Sequence, residues 1–395
     1  MANSIAVPSP AAVHTARTAA VAEPVPWYAW TVAAAATCAI VGLHWDISWH
    51  MTIGRDTFWT PAHLCIQACA VIGCLSCAYL ILNTTFHGDI ANKRGSVRVL
   101  GFYAPLGAFI AAWGGVAMLT SAPFDDWWHN AYGLDVKILS PPHVLLLIGI
   151  LAVEGGGLLL VMGKMNSSSA ELRRKLDAIF LYLGGVILIQ MMILVYEYSD
   201  RVLQHSAIFY RAVGLAAPVV LVAIAAASGR RWAATTVATV YMFFWAAMLW
   251  ILPLFPAEPK LGPVYRQITH MVPMAFPVLL IAPAFVLDLL RGSKIAQSKW
   301  KFAIVASVLF LAALIVAQWP FANLLTSAHA NNWFLGGQYH PASEPTSASD
   351  VRAIFVHYER SVGQFWSGIG IALIGTLFST SIGLACGNWM RRVQR

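Results

Sequence analysis

Apolar residues in this chain run in blocks of about 20, bounded by polar or Pro/Gly-rich stretches, rather than alternating at a strand period or forming a one-sided helical stripe. A block of that length spans a hydrocarbon layer roughly 30 Å thick as an α-helix. Helices suit such a solvent because every backbone N–H and C=O is satisfied within the segment. Ten blocks stand near 27–44, 61–82, 100–122, 141–163, 178–198, 209–228, 232–255, 268–290, 302–325 and 362–386. The pattern predicts an all-α polytopic membrane protein of about ten transmembrane helices. It divides the chain into a mobile N-terminal tail over 1–26, a four-helix unit over 27–163 and five further spans within 164–325. An exterior loop over 326–361 and a last span with a basic tail over 362–395 complete it.

Composition adds the solvent and the orientation. Of 395 residues, 59% are hydrophobic and 11% charged, outside the range of a soluble domain of this length. The net charge of +8 does not imply a nucleic-acid partner, because the basic residues gather in alternate loops. Lys93, Arg94 and Arg98 follow the second block; Lys164, Arg173, Arg174 and Lys175 the fourth; Arg230 and Arg231 the sixth; Arg291, Lys294, Lys299 and Lys301 the eighth. Arg391, Arg392 and Arg395 follow the tenth, so the positive-inside rule places both termini in the cytoplasm. The expected location is a bacterial inner membrane, with the odd-numbered spans ending at the periplasmic face. All six cysteines (Cys38, Cys65, Cys69, Cys74, Cys77, Cys386) fall inside predicted spans, which argues against a secreted disulfide framework.

A repeat carries the candidate chemistry. The loop after the first span reads HWDISWHMTIGRDTFWTPAHL and the loop after the third reads FDDWWHNAYGLDVKILSPPHV. Asp46 falls on Asp125, His50 on His129, Gly54 on Gly133, Asp56 on Asp135, Pro61 on Pro141 and His63 on His143. Asp and His four apart on a helix lie on one face with Cβ atoms about 5–6 Å apart, close enough to share an ion. Thr60-Pro61 and Ser140-Pro141 read as an N-cap followed by a first-turn proline, which puts His63 and His143 in the opening turns of the second and fourth spans. Each hairpin then offers two His and one carboxylate with open positions, a donor set that suits copper, iron or zinc. Six ligand-type residues repeated at matching spacing are hard to explain as packing, since buried polar groups are costly in lipid.

At these residues the sequence resembles the C subunit, the third membrane subunit, of the copper membrane monooxygenases, which act on methane or ammonia. The first loop is similar to that subunit's D-x-x-x-H followed by R-D-T-x-F-T-P-x-H, matched by Arg55, Asp56, Thr57, Thr60, Pro61 and His63. The second is similar to its N-E-W-G-H followed by A-P-L-H, at Asp125, Asp126, Trp127, Trp128, His129 and then Ser140 to His143. Asp125 stands where the family has Asn and Trp128 where it has Gly, and the chain is longer than the family subunit. The likeness covers roughly residues 40–150. It implies one or two copper ions, with Asp46, His50 and His63 as the catalytic site and Asp125, His129 and His143 as a neighbouring one. It further implies dioxygen activation for hydroxylation of a short hydrocarbon or ammonia, a quinol or other reductant, and other monooxygenase-type subunits or further copies of the chain as partners.

Arg55, Asp56 and Asp126 are candidates to orient the ligands, and Glu154, about three turns beyond His143, to relay protons. Gly155 to Gly157 beside it predict close helix contact. His270 opens the eighth span, where Pro273 and Pro277 predict a kinked helix. His329, Trp333, His340 and His357 lie in the exterior loop, expected to cap that face. The competing reading is a non-enzymatic membrane protein that stores or delivers copper or helps assemble an oxidase. The hard Asp/His donor set favours catalysis over such carriers, which use softer ligands.

Overall fold

The computed structural model describes residues 23–54, 57–133, 140–260, 267–339 and 359–394. The repeat unit is built from α1 (Trp27–Thr52), α2 (Pro61–Phe86), a short α3 (Ile90–Arg94), the hairpin strands β1 (Val97–Val99) and β2 (Phe102–Ala104), α4 (Leu106–Tyr132) and α5 (Pro141–Asn166). Then follow α6 (Ala170–Leu194), a single turn α7 (Tyr196–Ser199), α8 (Ala207–Ser228), α9 (Ala233–Ile251), α10 (Ile281–Arg291), α11 (Lys299–Leu325) and α12 (Val362–Met390). Among the described residues nine helices are long and apolar enough to cross a membrane. The protein is an all-α integral membrane protein, and its two-stranded hairpin is the sheet found among the described residues.

The first two hairpins pack as related halves. α1 lies on α2 and α4 on α5; across the pair, α2 meets α4 and α1 meets α5. At the centre α2 faces α5, where a Cβ at Gly73 would come within 2.8 Å of Val153 Cγ1. Gly73 and Val153 are themselves repeat partners, each ten residues beyond its histidine, His63 or His143. Contact between equivalent positions is what a two-fold axis along the bundle produces, the arrangement of parallel internal repeats.

Polar contacts gather the chain's described ends at the basic end of the bundle, away from the repeated loops. Lys164 Nζ lies 2.7 Å from Glu23 Oε1, so the last residues of the predicted tail are tied to α5. Asn166 Nδ2 donates to Met390 O and Val393 O at 3.1 and 2.7 Å, joining the end of α5 to the end of α12. Arg230 pairs with Asp177, and Arg291 Nη1 donates to Arg230 O at 3.2 Å. The six cysteines are free thiols.

One predicted span is not the kinked helix expected of it. Residues 271–279 form no regular secondary structure, Leu280 lies in a turn, and helix resumes only over Ile281–Arg291, 11 residues. Pro273 and Pro277 donate no backbone hydrogen bond, so the segment fails as a helix. Side chains from other elements take up four of its amides. Val272 N donates to Thr52 Oγ1 at 2.7 Å, Ala275 N to the Tyr196 hydroxyl at 2.9 Å, Val278 N to the Tyr241 hydroxyl at 3.0 Å and Leu279 N to Gln318 Oε1 at 2.9 Å. Non-helical backbone at membrane depth is tolerated only when buried in protein in this way. Tyr241→Phe should therefore lower stability by about 1–3 kcal/mol, the cost of one orphaned buried donor. Gln318→Leu should cost more, because Gln318 Nε2 also donates to Gln204 Oε1 at 2.7 Å. Thermal unfolding in one detergent checks the order, and a Tyr241→Phe protein as stable as the parent would contradict this account of the segment.

Candidate metal centres

Helix punctuation places the candidate ligands. α1 runs one turn past Asp46 to His50 and stops where Gly54, at φ 80°, donates its N–H to Trp49 O at 3.2 Å. α4 ends in the same way at Gly133, φ 89°, whose N–H donates to His129 O at 3.0 Å. Left-handed backbone is nearly free for glycine and strained for other residues, which explains a glycine four residues after each helix histidine. α2 and α5 begin with extended Thr60 and Ser140 and a proline in the first position; Ser140 Oγ accepts from His143 N at 3.4 Å. His63 and His143 thus sit in the first turns of their helices, as their spacing predicts.

The three residues of each set converge. In the first, His63 Nε2 lies 3.1 Å from Asp46 Oδ1 and His50 Nε2 lies 3.8 Å from Asp46 Oδ2. In the second, His143 Nε2 and His129 Nε2 each lie 3.4 Å from one oxygen of Asp125. Within each set the three donor atoms fall within 4.8 Å of one another. α1 meets α2 at backbone distance beside the first set: a Cβ at Gly42 would stand 2.7 Å from Ile66 N. Asp46 is one turn beyond, opposite His63.

The geometry of the first set can be tested against a cation. His63 Nδ1 lies 3.0 Å from Thr57 O. A carbonyl only accepts, so Nδ1 carries the proton and the ring presents Nε2 to the carboxylate. Asp46 Oδ1, though buried and 3.1 Å from that nitrogen, makes no hydrogen bond, because the ring does not aim Nε2 at it. A backbone carbonyl fixing the far nitrogen of a ligating histidine is the usual support of a metal–histidine bond. The residues fit a divalent or monovalent transition-metal ion with two His and one carboxylate.

The surroundings differ between the sets. Ser48 Oγ donates to Val272 O at 2.6 Å and Thr52 Oγ1 accepts from Val272 N, so two hydroxyls flanking His50 clamp the non-helical segment against α1. His44, two residues before Asp46, is buried; its Nδ1 donates to Ile40 O at 2.8 Å and its ring meets Phe244 and Trp245 edge-on. The sequence reading missed these three residues, and only the alternation of polar residues at 44, 46, 48, 50 and 52 hinted at them. Beside the second set Trp128 packs on Tyr132 at 4.4 Å between ring centres and edge-on to Phe124 and Trp127.

The remaining candidates separate. Asp126 is exposed, with Asn130 Nδ2 donating to its backbone oxygen at 2.8 Å, and is not among the converging residues. Arg55, Asp56, His340 and His357 lie outside the described residues. Glu154 is completely buried, and neither carboxyl oxygen has a hydrogen-bond partner. It lies within electrostatic reach of Cys69 on α2 and Tyr182 on α6. His270 is exposed, its Nδ1 is 2.9 Å from the neighbouring Thr269 hydroxyl, and it is not among the converging residues. Of the predicted cap, Trp333 and Phe334 rest on Trp250, whose Nε1 donates to Phe334 O at 3.0 Å. Comparison with protein-family models, curated proteins and solved structures gave no match for this chain.

Proposed function

We propose that this chain is a copper-dependent oxidative membrane protein, a monooxygenase or the metal-bearing subunit of one, acting on a short hydrocarbon or ammonia. The observation that carries the reading is the pair of repeated two-His, one-Asp sets, both at the end of the bundle opposite the basic loops. Asp46, His50 and His63 would hold the ion used in chemistry. Copper bound there would supply one-electron redox chemistry toward dioxygen, which no side chain offers.

The chain's own residues set the conditions. His63 is oriented by the Thr57 carbonyl, and Asp46 contributes the negative charge that favours a cation. His50 is 38% exposed in its side chain, so the set is open on one side to a small molecule while Ser48 and Thr52 hold its other flank against the non-helical segment. Phe58 and Trp59 form an exposed aromatic edge near His63, a route by which an apolar substrate can arrive from lipid. Glu154, buried and without a hydrogen-bond partner among the described residues, would carry a proton through the bundle. Electrons would come from a quinol or another reductant, and further subunits or copies of the chain would complete the assembly.

The test is dioxygen uptake and product formation by the purified chain in lipid, loaded with copper and given a quinol and a short alkane or ammonia. Asp46→Ala with His50→Ala should abolish turnover, and His129→Ala with His143→Ala should leave part of it. Copper retained by the parent with no uptake under any of these conditions would favour the carrier reading instead.

A further inference from the structure

Three of the free thiols gather on the inner side of the first candidate metal set. Cysteine inside an apolar helix is ordinarily a small apolar filler. Cys38 precedes Asp46 by eight residues on α1, about 12 Å further into the bundle, and Cys65 and Cys69 follow His63 on one face of α2. The two helices are in backbone contact there, since a Cβ at Gly42 would stand 2.7 Å from Ile66 N. Cys65 Sγ lies 3.4 Å from Cys38 O, and the two thiols are close enough to interact through their side chains. Cys69, completely buried one turn further along α2, lies within electrostatic reach of both.

Two observations set this cluster apart from packing. The positions equivalent to Cys38, Cys65 and Cys69 in the second half of the repeat hold Ala117, Leu145 and Gly149. Packing shared by the two halves is therefore met without sulfur, and the thiols accompany the first set alone. The other observation is Glu154. Its carboxyl group is completely buried, has no hydrogen-bond partner among the described residues and lies within electrostatic reach of Cys69. Ionisable groups at membrane depth mark ion and proton paths.

The donor chemistry names the ion. Thiolates select monovalent copper, whereas imidazole and carboxylate suit the divalent ion. Monovalent copper also accepts a simple pair of sulfur ligands, which two thiols facing across a helix pair supply. We infer that Cys38 and Cys65 form a Cu(I) site, with Cys69 as the next sulfur inward, from which reduced copper is passed to Asp46, His50 and His63. On binding, two Cu–S bonds form, two S–H bonds break and both protons leave, with no change in the oxidation state of the metal. The role as a supply rests on the copper reading of the first set; binding of Cu(I) by the thiols does not.

The full chain is purified in detergent without oxygen, stripped of metal and titrated with Cu(I) against a chromophoric Cu(I) chelator, and the bound copper is examined by X-ray absorption. A variant without either His/Asp set, carrying Asp46→Ala, His50→Ala, His129→Ala and His143→Ala, should still bind Cu(I) with sulfur in its coordination shell. Cys38→Ser with Cys65→Ser, added to that variant, should lose both the ion and the sulfur signal. Cys74→Ser with Cys77→Ser, on the same helix but outside the cluster, should keep both. Unchanged Cu(I) binding without Cys38 and Cys65 would overturn the inference. So would copper held without sulfur in the variant lacking the His/Asp sets, a result that does not depend on whether the serine variant folds. Sulfur-bound Cu(I) in a parent whose copper content is unaffected by Asp46→Ala with His50→Ala would uphold the thiol site and overturn its role as a supply.

Discussion

A chain carrying Asp46→Ala and His50→Ala should bind one copper ion fewer than the parent, its first site weakened at least about 100-fold. Loss of a single group that merely orients a ligand costs about 10–100-fold in metal affinity, and here two of three donors go together. The remaining His63 cannot compensate, because its Nδ1 is committed to Thr57 O at 3.0 Å and its Nε2 is a single donor. The second set is built on other helices, α4 and α5, so it should retain its ion. The reciprocal variant, His129→Ala with His143→Ala, should remove the second ion and spare the first. Metal analysis after dialysis against a chelator of known affinity reads both. Wild type and both double variants binding equally little copper would sink the proposal at its root, and equal losses in both variants would show one shared site instead of two.

How much of this was legible in the sequence depends on the length scale of each cause. The two clusters of converging His and Asp residues were legible because every determinant is local: Asp46 and His50 are one helical turn apart, Gly54 and Gly133 stop their helices, and Pro61 and Pro141 start the next. Hydropathy located nine long helices for the same reason. It failed at residues 271–280, where composition is as apolar as in any span. Their conformation is set by Tyr196, Tyr241 and Gln318 on three other elements, and no window of sequence contains both partners. Ser48 and Thr52 were missed because their partner, Val272, is more than 200 residues away. Glu154 was marked correctly as an ionisable residue at depth, but its neighbours Cys69 and Tyr182 come from helices whose packing order the sequence does not state.

The glycines of α4 and α5 carry the other large effect. A Cβ at Gly149 would stand 2.8 Å from Gly114 O and 2.6 Å from Met118 Cγ; one at Gly114 would stand 2.7 Å from Gly149 O and from Val153 N. One turn-pair deeper, Gly156 would meet Ala111 N and Gly107 O, both at 2.6 Å. Backbone cannot yield as a flexible side chain does, so any larger residue must push the two helices apart. In lipid, close packing between helices is a main source of their association, which makes the separation costly. Gly149→Val should therefore destabilise the protein by about 1–3 kcal/mol or more. It should also take a specific toll on the second metal set, because Asp125 and His129 ride on α4 and His143 on α5. The first set, on α1 and α2, should keep its ion. Gly155→Val is the matched control: the same residue type on the same helix has nothing within 4 Å of its Cβ position, so stability and both ions should be retained. Loss of both ions in Gly149→Val protein that still unfolds cooperatively would show that the halves do not hold their sites independently. Retention of both would show that α4 and α5 can part without moving the ligands.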